Sequence, residues 1–398
     1  MPRRLFGPLL GLVFLVNFGR TAFAPLLPEL QTAFGVGPAT VGVAASLVWL
    51  GTGAVRIPVG YLLTRVARHH VVVVTGVVLA AAAAFTALAG SIRLLQVGAL
   101  LIGLASGAYF ASAVPLISDL FPDRVGRAVG VHGTAAQLAS VAAPTVVVAV
   151  LWVASWREVF VLLAVGALLV TAALVVVLRR DGVPATASAD RNFRAALAHW
   201  RVVGAGILMI ATAGFVWQGL FNFYVSYLTT ARSVDAATAS TLLTVTFAAG
   251  VPAFWLSGRL ADRLPLVPYI VGLLVVFTGG VGAFTLARDV AGLVVVSIVV
   301  GYAIHSLFPA IDAYVLGVLP TDVRGSTYAV FSGLSIVVEA NGSGLVGVLT
   351  GAGYGFDTVF RLFAAGLAVT VAVIVGLAAT GLLPTAGVVR SRGRPHEG

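Results

Sequence analysis

The sequence predicts an all-α membrane protein of twelve transmembrane helices arranged as two six-helix halves, and three observations carry that prediction. Apolar residues make up 60% of the 398 and charged residues only 10%, with a mean hydropathy of +1.06. A soluble globular chain has no use for so much apolar surface. Apolar runs of about 20 residues, the length that crosses a bilayer as a helix, recur from end to end. Cytoplasmic-type loop sequences repeat at a constant offset of 198 residues, as Gly60/Gly258, Leu62/Leu260, Arg65/Arg263, Pro122/Pro320 and Val125/Val323 show.

The runs fall at residues 7–30, 39–63, 71–90, 94–118, 127–152, 158–178, 202–228, 238–258, 266–287, 291–319, 326–350 and 358–383. Strands of a β-barrel would be half as long and would alternate polar with apolar residues, which these do not. The longest polar stretch, RRDGVPATASADRNFRAALAHWR (179–201), follows the sixth run. Its Pro, Ser, Asp and Arg content reads as a linker. The expected organisation is therefore a bundle over 1–180, a cytoplasmic linker over 181–201, a second bundle over 202–384 and a cytoplasmic tail over 385–398. Parallel six-helix repeats are a known transporter plan.

Every one of the 24 basic residues is Arg. In a soluble protein a net charge of +10 would suggest nucleic acid, but here the charge lies in short loops, where it sets orientation. With the N-terminus inside, seventeen Arg fall on the cytoplasmic side and five outside (Arg93, Arg157, Arg232, Arg288 and Arg361). This asymmetry predicts a plasma-membrane protein with both termini cytoplasmic. Ala22-Phe23-Ala24 after an apolar run resembles a signal-peptide cleavage site, but Pro25 directly after it and Arg20 before it argue for a retained first helix.

Several loops resemble the major facilitator superfamily. GRLADR (258–263) is similar to the family's Gly-x-Leu-Ala-Asp-Arg signature, and GYLLTRVARHH (60–70) looks like the fuller first-half copy. The passage GLASGAYFASAVPLISDLFPDRVGRAVG (103–130), SWREVF (155–160) and YGFDTVF (354–360) resemble its other loop and helix-entry segments. There are departures: Thr64 stands where the family has Asp, and Ala67 where it has Gly. The family's embedded Arg is missing from VGALLIGLASG (97–107), and the antiporter signature is degenerate in AQLASVAAP (136–144). The resemblance implies a latch on the cytoplasmic side built from Arg65, Arg68, Asp119, Asp262 and Arg263. The alternative is that these Arg only set topology and anchor headgroups.

The remaining two Arg, Arg20 and Arg56, lie within membrane runs. Counting 1.5 Å per residue, Arg20, His305 and Glu339 come out roughly 20 Å from the cytoplasmic ends, and Arg56, His132 and Asp312 about 10 Å. Gln218 is the repeat counterpart of Arg20, and Asn222 follows it by one turn. The resemblance places runs 1, 4, 7 and 10 around a central cavity, which gathers Arg20, Tyr109, Gln218, Asn222 and His305 as candidate substrate ligands. It also sets runs 2 and 11 side by side, so that Arg56 can pair with Glu339 or Asp312. Glu339 and Asp312 are the candidate proton carriers; the plainer reading is that they balance buried Arg, with Arg20 paired to Glu339. Trp49, Trp152, Trp156 and Trp200 read as interfacial anchors, and Trp217, Phe221, Phe223 and Tyr224 as either a cavity wall or core. Pro25, Pro28, Pro58, Pro144 and Pro309 are candidate bends.

There is no Cys, no His/Glu cluster with metal spacing and no phosphate-binding Gly-Lys loop. The expectation is a monomeric, cofactor-free secondary transporter and not an enzyme. Its expected substrate is a small organic anion or zwitterion, moved with a proton by alternating access. A drug or metabolite efflux antiporter is the competing reading, and a non-transporting membrane sensor a remote one.

Overall fold

The computed structural model describes residues 2–63, 65–121, 125–181, 198–261, 263–319 and 324–384. Among these, eleven helices are long and apolar enough to cross a membrane, and a bent pair, Arg4–Thr21 with Phe23–Phe34, passes as a twelfth. Span 1 is Pro2–Thr21 continued by Phe23–Phe34, span 2 is Pro38–Ala54 continued by Arg56–Leu62, and span 3 is Arg68–Ala87. Spans 4 to 6 are Ile92–Leu120, Val125–Leu151 and Trp156–Asp181. Span 7 is Trp200–Asn222 continued by Tyr224–Ala231, and spans 8 and 9 are Ala236–Ala261 and Leu266–Phe284. Spans 10 to 12 are Val290–Val318, Arg324–Gly351 and Phe356–Ala379. Most of the expected linker (182–197) and all of the tail lie outside the described residues.

Proline chemistry explains two of the three broken spans. A proline cannot donate to the carbonyl four residues back, and its ring crowds that carbonyl. For Pro25 that group belongs to Thr21, where the first segment ends and the chain bends by 44°. For Pro58 it belongs to Ala54, the last residue before the break in span 2, so Arg56 opens the short helix beyond the break. Span 7 breaks at Phe223 without a proline. There the Gln218 carbonyl accepts from the Asn222 side chain (2.9 Å) and the Ser343 hydroxyl (2.9 Å), which compete for the helix ladder. Pro28, Pro144 and Pro309 sit inside continuous helices.

The packing repeats with the sequence. Span 2 packs on 4, 3 on 4, 3 on 6 and 1 on 5; six spans later, 8 packs on 10, 9 on 10, 9 on 12 and 7 on 11. The halves meet along two seams, 2 against 11 and 5 against 8, which the same repeat interchanges. Exposed apolar side chains such as Val74, Leu169, Val276 and Val369 cover spans 3, 6, 9 and 12. Helices keep their backbone polar groups satisfied internally, so this outer surface suits hydrocarbon.

We call the side carrying the start of span 1 and the end of span 12 the terminal face. At the opposite end the 2–11 seam is tight. A Cβ on Gly42 would stand 2.8 Å from the Ser343 carbonyl oxygen, and one on Gly347 2.6 Å from that of Pro38. Only glycine allows that approach. The Gly344 amide also donates to Ser46 Oγ across the seam at 2.8 Å. On the 5–8 seam Thr145 and Thr244 meet, hydroxyl to hydroxyl, at 3.3 Å.

Candidate functional site

Between the halves lies a cavity of about 940 Å³. Its roof, deep in the bundle, includes Trp49, Trp217, Phe221 and Phe247. From there it runs toward the terminal face, where Val129, Gly130 and Tyr328 line it near the first turns of spans 5 and 11. The cavity thus extends toward the terminal face and stops beneath the opposite end, where the 2–11 seam is tight.

Arg20 sits beside the break in span 1 and is 7% exposed. Asn17, one turn earlier, donates to the Ala136 carbonyl and Ser140 Oγ (2.6 Å each), which fixes its amide against span 5. Its carbonyl oxygen then accepts from Arg20 Nη2. Two rings flank the guanidinium, Trp49 at 4.6 Å and Phe110 at 4.9 Å from their centres. Arg20 Nε has no partner, and among the described residues no carboxylate forms an ion pair with Arg20. The alternative reading, a structural Arg20–Glu339 ion pair, is therefore not met among the described residues. A buried guanidinium held without a counter-ion is costly, and intramembrane charge of this kind marks a functional position.

Arg56 lines the cavity within reach of Tyr328, Glu339 and Asp312, but in no ion pair with either carboxylate. Asp312 interacts with the Tyr328 hydroxyl. The Glu339 side chain lies on Gly214 of span 7, where an added Cβ would overlap its carboxyl group. Sequence reasoning placed Arg56, Asp312 and Glu339 near one another, and all three border the cavity.

The 198-residue offset maps the cavity onto itself. Trp49 and Phe247, Phe110 and Phe308, Gln137 and Ser335, and Arg20 and Gln218 are repeat pairs in which both members line it. The charges break this symmetry. Arg20 and Arg56 belong to the first half, and their counterparts are Gln218 and Phe254. Asp312 and Glu339 belong to the second half, and their counterparts are Val114 and Val141. Each half therefore brings one sign of charge to the cavity, and any rocking of the halves changes the separation of those charges.

His305 lines the second-half wall, its Nδ1 2.7 Å from the Gly301 carbonyl oxygen. Trp217, Phe247, Phe254 and Phe308 surround it at ring separations of 5.5 to 6.4 Å. Gln137 crosses between the halves, donating to the Phe247 carbonyl at 2.8 Å.

Two expected ligands lie elsewhere. Tyr109 is fully buried between spans, its hydroxyl donating to the Leu9 carbonyl (2.7 Å) and bonded to His132 Nε2 (3.0 Å), and it does not border the cavity. Asn222 turns toward span 11 and donates to Ser343 Oγ at 2.9 Å, which serves the helix break. Both side chains face neighbouring helices rather than the cavity. Conversely, Trp49, read as an interfacial anchor, belongs to the roof, and Asn17, Phe110 and Gln137 were missed. The spacing of Asn17 to Arg20 and the ring pairs at offset 198 were the available signals.

On the terminal face, Arg68 pairs with Asp119 and donates to the Pro115 carbonyl at 3.2 Å. This joins spans 3 and 4 within one half and coexists with the cavity's extension toward that face. Arg65 donates to the Tyr61 hydroxyl one turn away at 2.6 Å, and Arg263 is exposed. Asp262 lies outside the described residues. No group of three metal-ligating side chains occurs among the described residues.

Known proteins agree with this architecture. A crystal structure of a bacterial homolog of the human lysosomal transporter Spinster, inward-facing and unoccupied, superposes with a TM-score of 0.74 at 16% identity, covering 100% of this chain and 99% of that one. Its inward-facing, occupied form gives 0.69 at 16% identity, with 96% of each chain covered. The probable sulfoacetate transporter SauU of Cupriavidus necator is 23% identical over 285 residues, 65% of this chain. The chain spans 65% of the length of that curated relative. The sequence profile of the Major Facilitator Superfamily matches residues 9–335, and with twelve spans in two like-packed halves around a central cavity, the chain belongs to that family of membrane transporters.

Proposed function

We propose that this protein is a secondary transporter for a small organic anion, carried between the halves by alternating access. One observation carries the reading. Arg20 is a cation at the cavity roof, buried and pre-oriented by Asn17, with an unused Nε and, among the described residues, no carboxylate ion pair. An anion fitting there supplies the missing counter-charge. Transporter sites lie at mid-depth between repeats, and Arg20 and its counterpart Gln218 both line the cavity between the halves. The name of the SauU relative, a probable sulfoacetate transporter, points to the same chemical class, sulfonates and carboxylates.

Glu339 and Asp312 are the proposed proton carriers. They stand in the half opposite the two Arg, so binding an anion on the first half and a proton on the second balances the cavity's charge during the crossing. The terminal face is the proposed cytoplasmic side, given the Arg-rich loops there, and the plasma membrane the proposed location. The working unit is a monomer, because the cavity is complete within one chain.

The test is counterflow in proteoliposomes with radiolabelled sulfoacetate and a panel of carboxylates, in wild type and Arg20→Gln. Exchange of at least one anion that disappears in Arg20→Gln is expected. Equal exchange in both would remove Arg20 from the site. Proton movement accompanying that anion is expected to vanish in Glu339→Gln or Asp312→Asn, and its survival in both variants would make these carboxylates structural.

A further inference from the structure

The rings around the cavity are distributed as unevenly as its charges. Trp49 and Phe110 flank Arg20 in the first half, and their repeat counterparts Phe247 and Phe308 occupy the matching places in the second. There the central position is Gln218, and the place of Arg56 is taken by Phe254. The same scaffold thus sets a cation between its rings on one side and rings without a cation between them on the other.

The two sides are continuous. From the Trp49 ring beside Arg20, ring centres step 6.0 Å to Phe221, 5.4 Å to Trp217 and 5.7 Å to Phe247. Lower on the wall, Phe254 and Phe308 lie nearly parallel, 12° apart, with centres separated by 6.4 Å. The cavity volume of about 940 Å³ falls in the roughly 300–1,000 Å³ range of sites for drug-sized ligands. A two-carbon acid on Arg20 would leave most of it to water.

We infer that the cavity takes an amphipathic organic acid, its acid group on Arg20 and an apolar body laid along Trp217, Phe247, Phe254 and Phe308. This rests on the anion reading above and adds to it what the second half recognises. The head binds on the first half, at Arg20 with Arg56 on the same side, because their second-half counterparts Gln218 and Phe254 carry no charge. The body goes to the opposite wall, because burying it there removes apolar surface of both partners from water. Asp312 and Glu339 stand on that half and disfavour a second anionic group at the far end of the ligand.

The experiment is isothermal titration of the full-length protein in lipid nanodiscs with straight-chain alkanesulfonates of two to eight carbons. Octanol and an alkyl betaine of matched length serve as controls. Each added methylene is expected to tighten binding about fourfold until the wall is covered. Phe308→Leu and Phe254→Leu should flatten that gain; if either variant misfolds, the wild-type series decides alone. Affinity that stays flat from two to eight carbons, while Arg20→Gln still abolishes binding, overturns the apolar-body assignment and leaves the anion reading standing. Octanol binding as tightly as octanesulfonate, with Arg20→Gln without effect, overturns the anion reading itself. Tighter binding of the betaine than of the matched sulfonate would mean that the rings hold a cation, and also overturns the assignment.

Discussion

The guanidinium of Arg20 lies 4.6 Å from the centre of the Trp49 ring, and that ring in turn meets Phe221 of the other half edge-on at 6.0 Å. The group proposed to hold the ligand is therefore one contact away from the plug that closes the cavity above it. A ligand that draws Arg20 off Trp49, or onto it, acts on the roof directly. Removing the ring should weaken ligand binding through loss of the cation–π contact, worth about 0.5–2 kcal/mol. Trp49→Leu is thus expected to reduce octanesulfonate affinity by several-fold, while Trp49→Phe retains most of it, as titration in nanodiscs would measure. Equal affinity in all three proteins would mean that the ring only fills space.

Glu339 is held against span 7 by the absence of a side chain at Gly214. Gly214→Ala should displace the carboxyl group and destabilise the protein by about 1–3 kcal/mol, the usual cost of overpacking. Adding Glu339→Ala should relieve the overlap, so the double variant melts above Gly214→Ala alone. A thermal unfolding series in detergent checks this. Strict additivity of the two changes would show that the residues do not press on each other.

At the end of the bundle opposite the terminal face, Arg232 Nη2 pairs with Asp357 at 2.7 Å, and the Tyr227 hydroxyl donates to the same carboxylate at 2.6 Å. Arg232 also donates to the Phe284 carbonyl at 3.2 Å, tying the ends of spans 7, 9 and 12 together. Its side chain is only 2% exposed, whereas that of Asp357 is 27% exposed. Removing the carboxylate leaves a buried cation unpaired, so Asp357→Ala should cost about 2–3 kcal/mol. Arg232→Leu combined with Asp357→Leu should cost much less, because no charge is stranded. Thermal melts of the two variants beside wild type distinguish these outcomes; a larger loss in the double variant would contradict the account.

Hydropathy and run length located every span to within a few residues, because the need to satisfy the backbone inside lipid leaves little choice. The breaks were half legible. Pro25 and Pro58 stand four residues after the points where spans 1 and 2 give way, but Pro144 and Pro309 are carried inside straight-through helices, and span 7 breaks on hydrogen bonding from Asn222 and Ser343. For the cavity, the contributing spans were readable and the direction of each side chain was not. Arg20, Gln218, His305, Arg56, Asp312 and Glu339 all border it, whereas Tyr109 and Asn222 turn into helix contacts. A helix turns 100° per residue, so direction depends on the crossing of neighbouring helices rather than on the count from a loop. The repeat offset carried more than was drawn from it, since Trp49 and Phe110 are marked by pairing with Phe247 and Phe308.

In the proposed transport cycle the halves part above the cavity. Thr145 and Thr244 face each other across the 5–8 seam on the closed side, hydroxyl to hydroxyl at 3.3 Å, and the chain has no cysteine of its own. Thr145→Cys with Thr244→Cys, oxidised to a disulfide, should hold that side shut. Counterflow of the anion that binds wild type most tightly should stop in the oxidised double variant, return on reduction, and continue throughout in each single variant. Undiminished counterflow through fully cross-linked protein would contradict alternating access between these two halves.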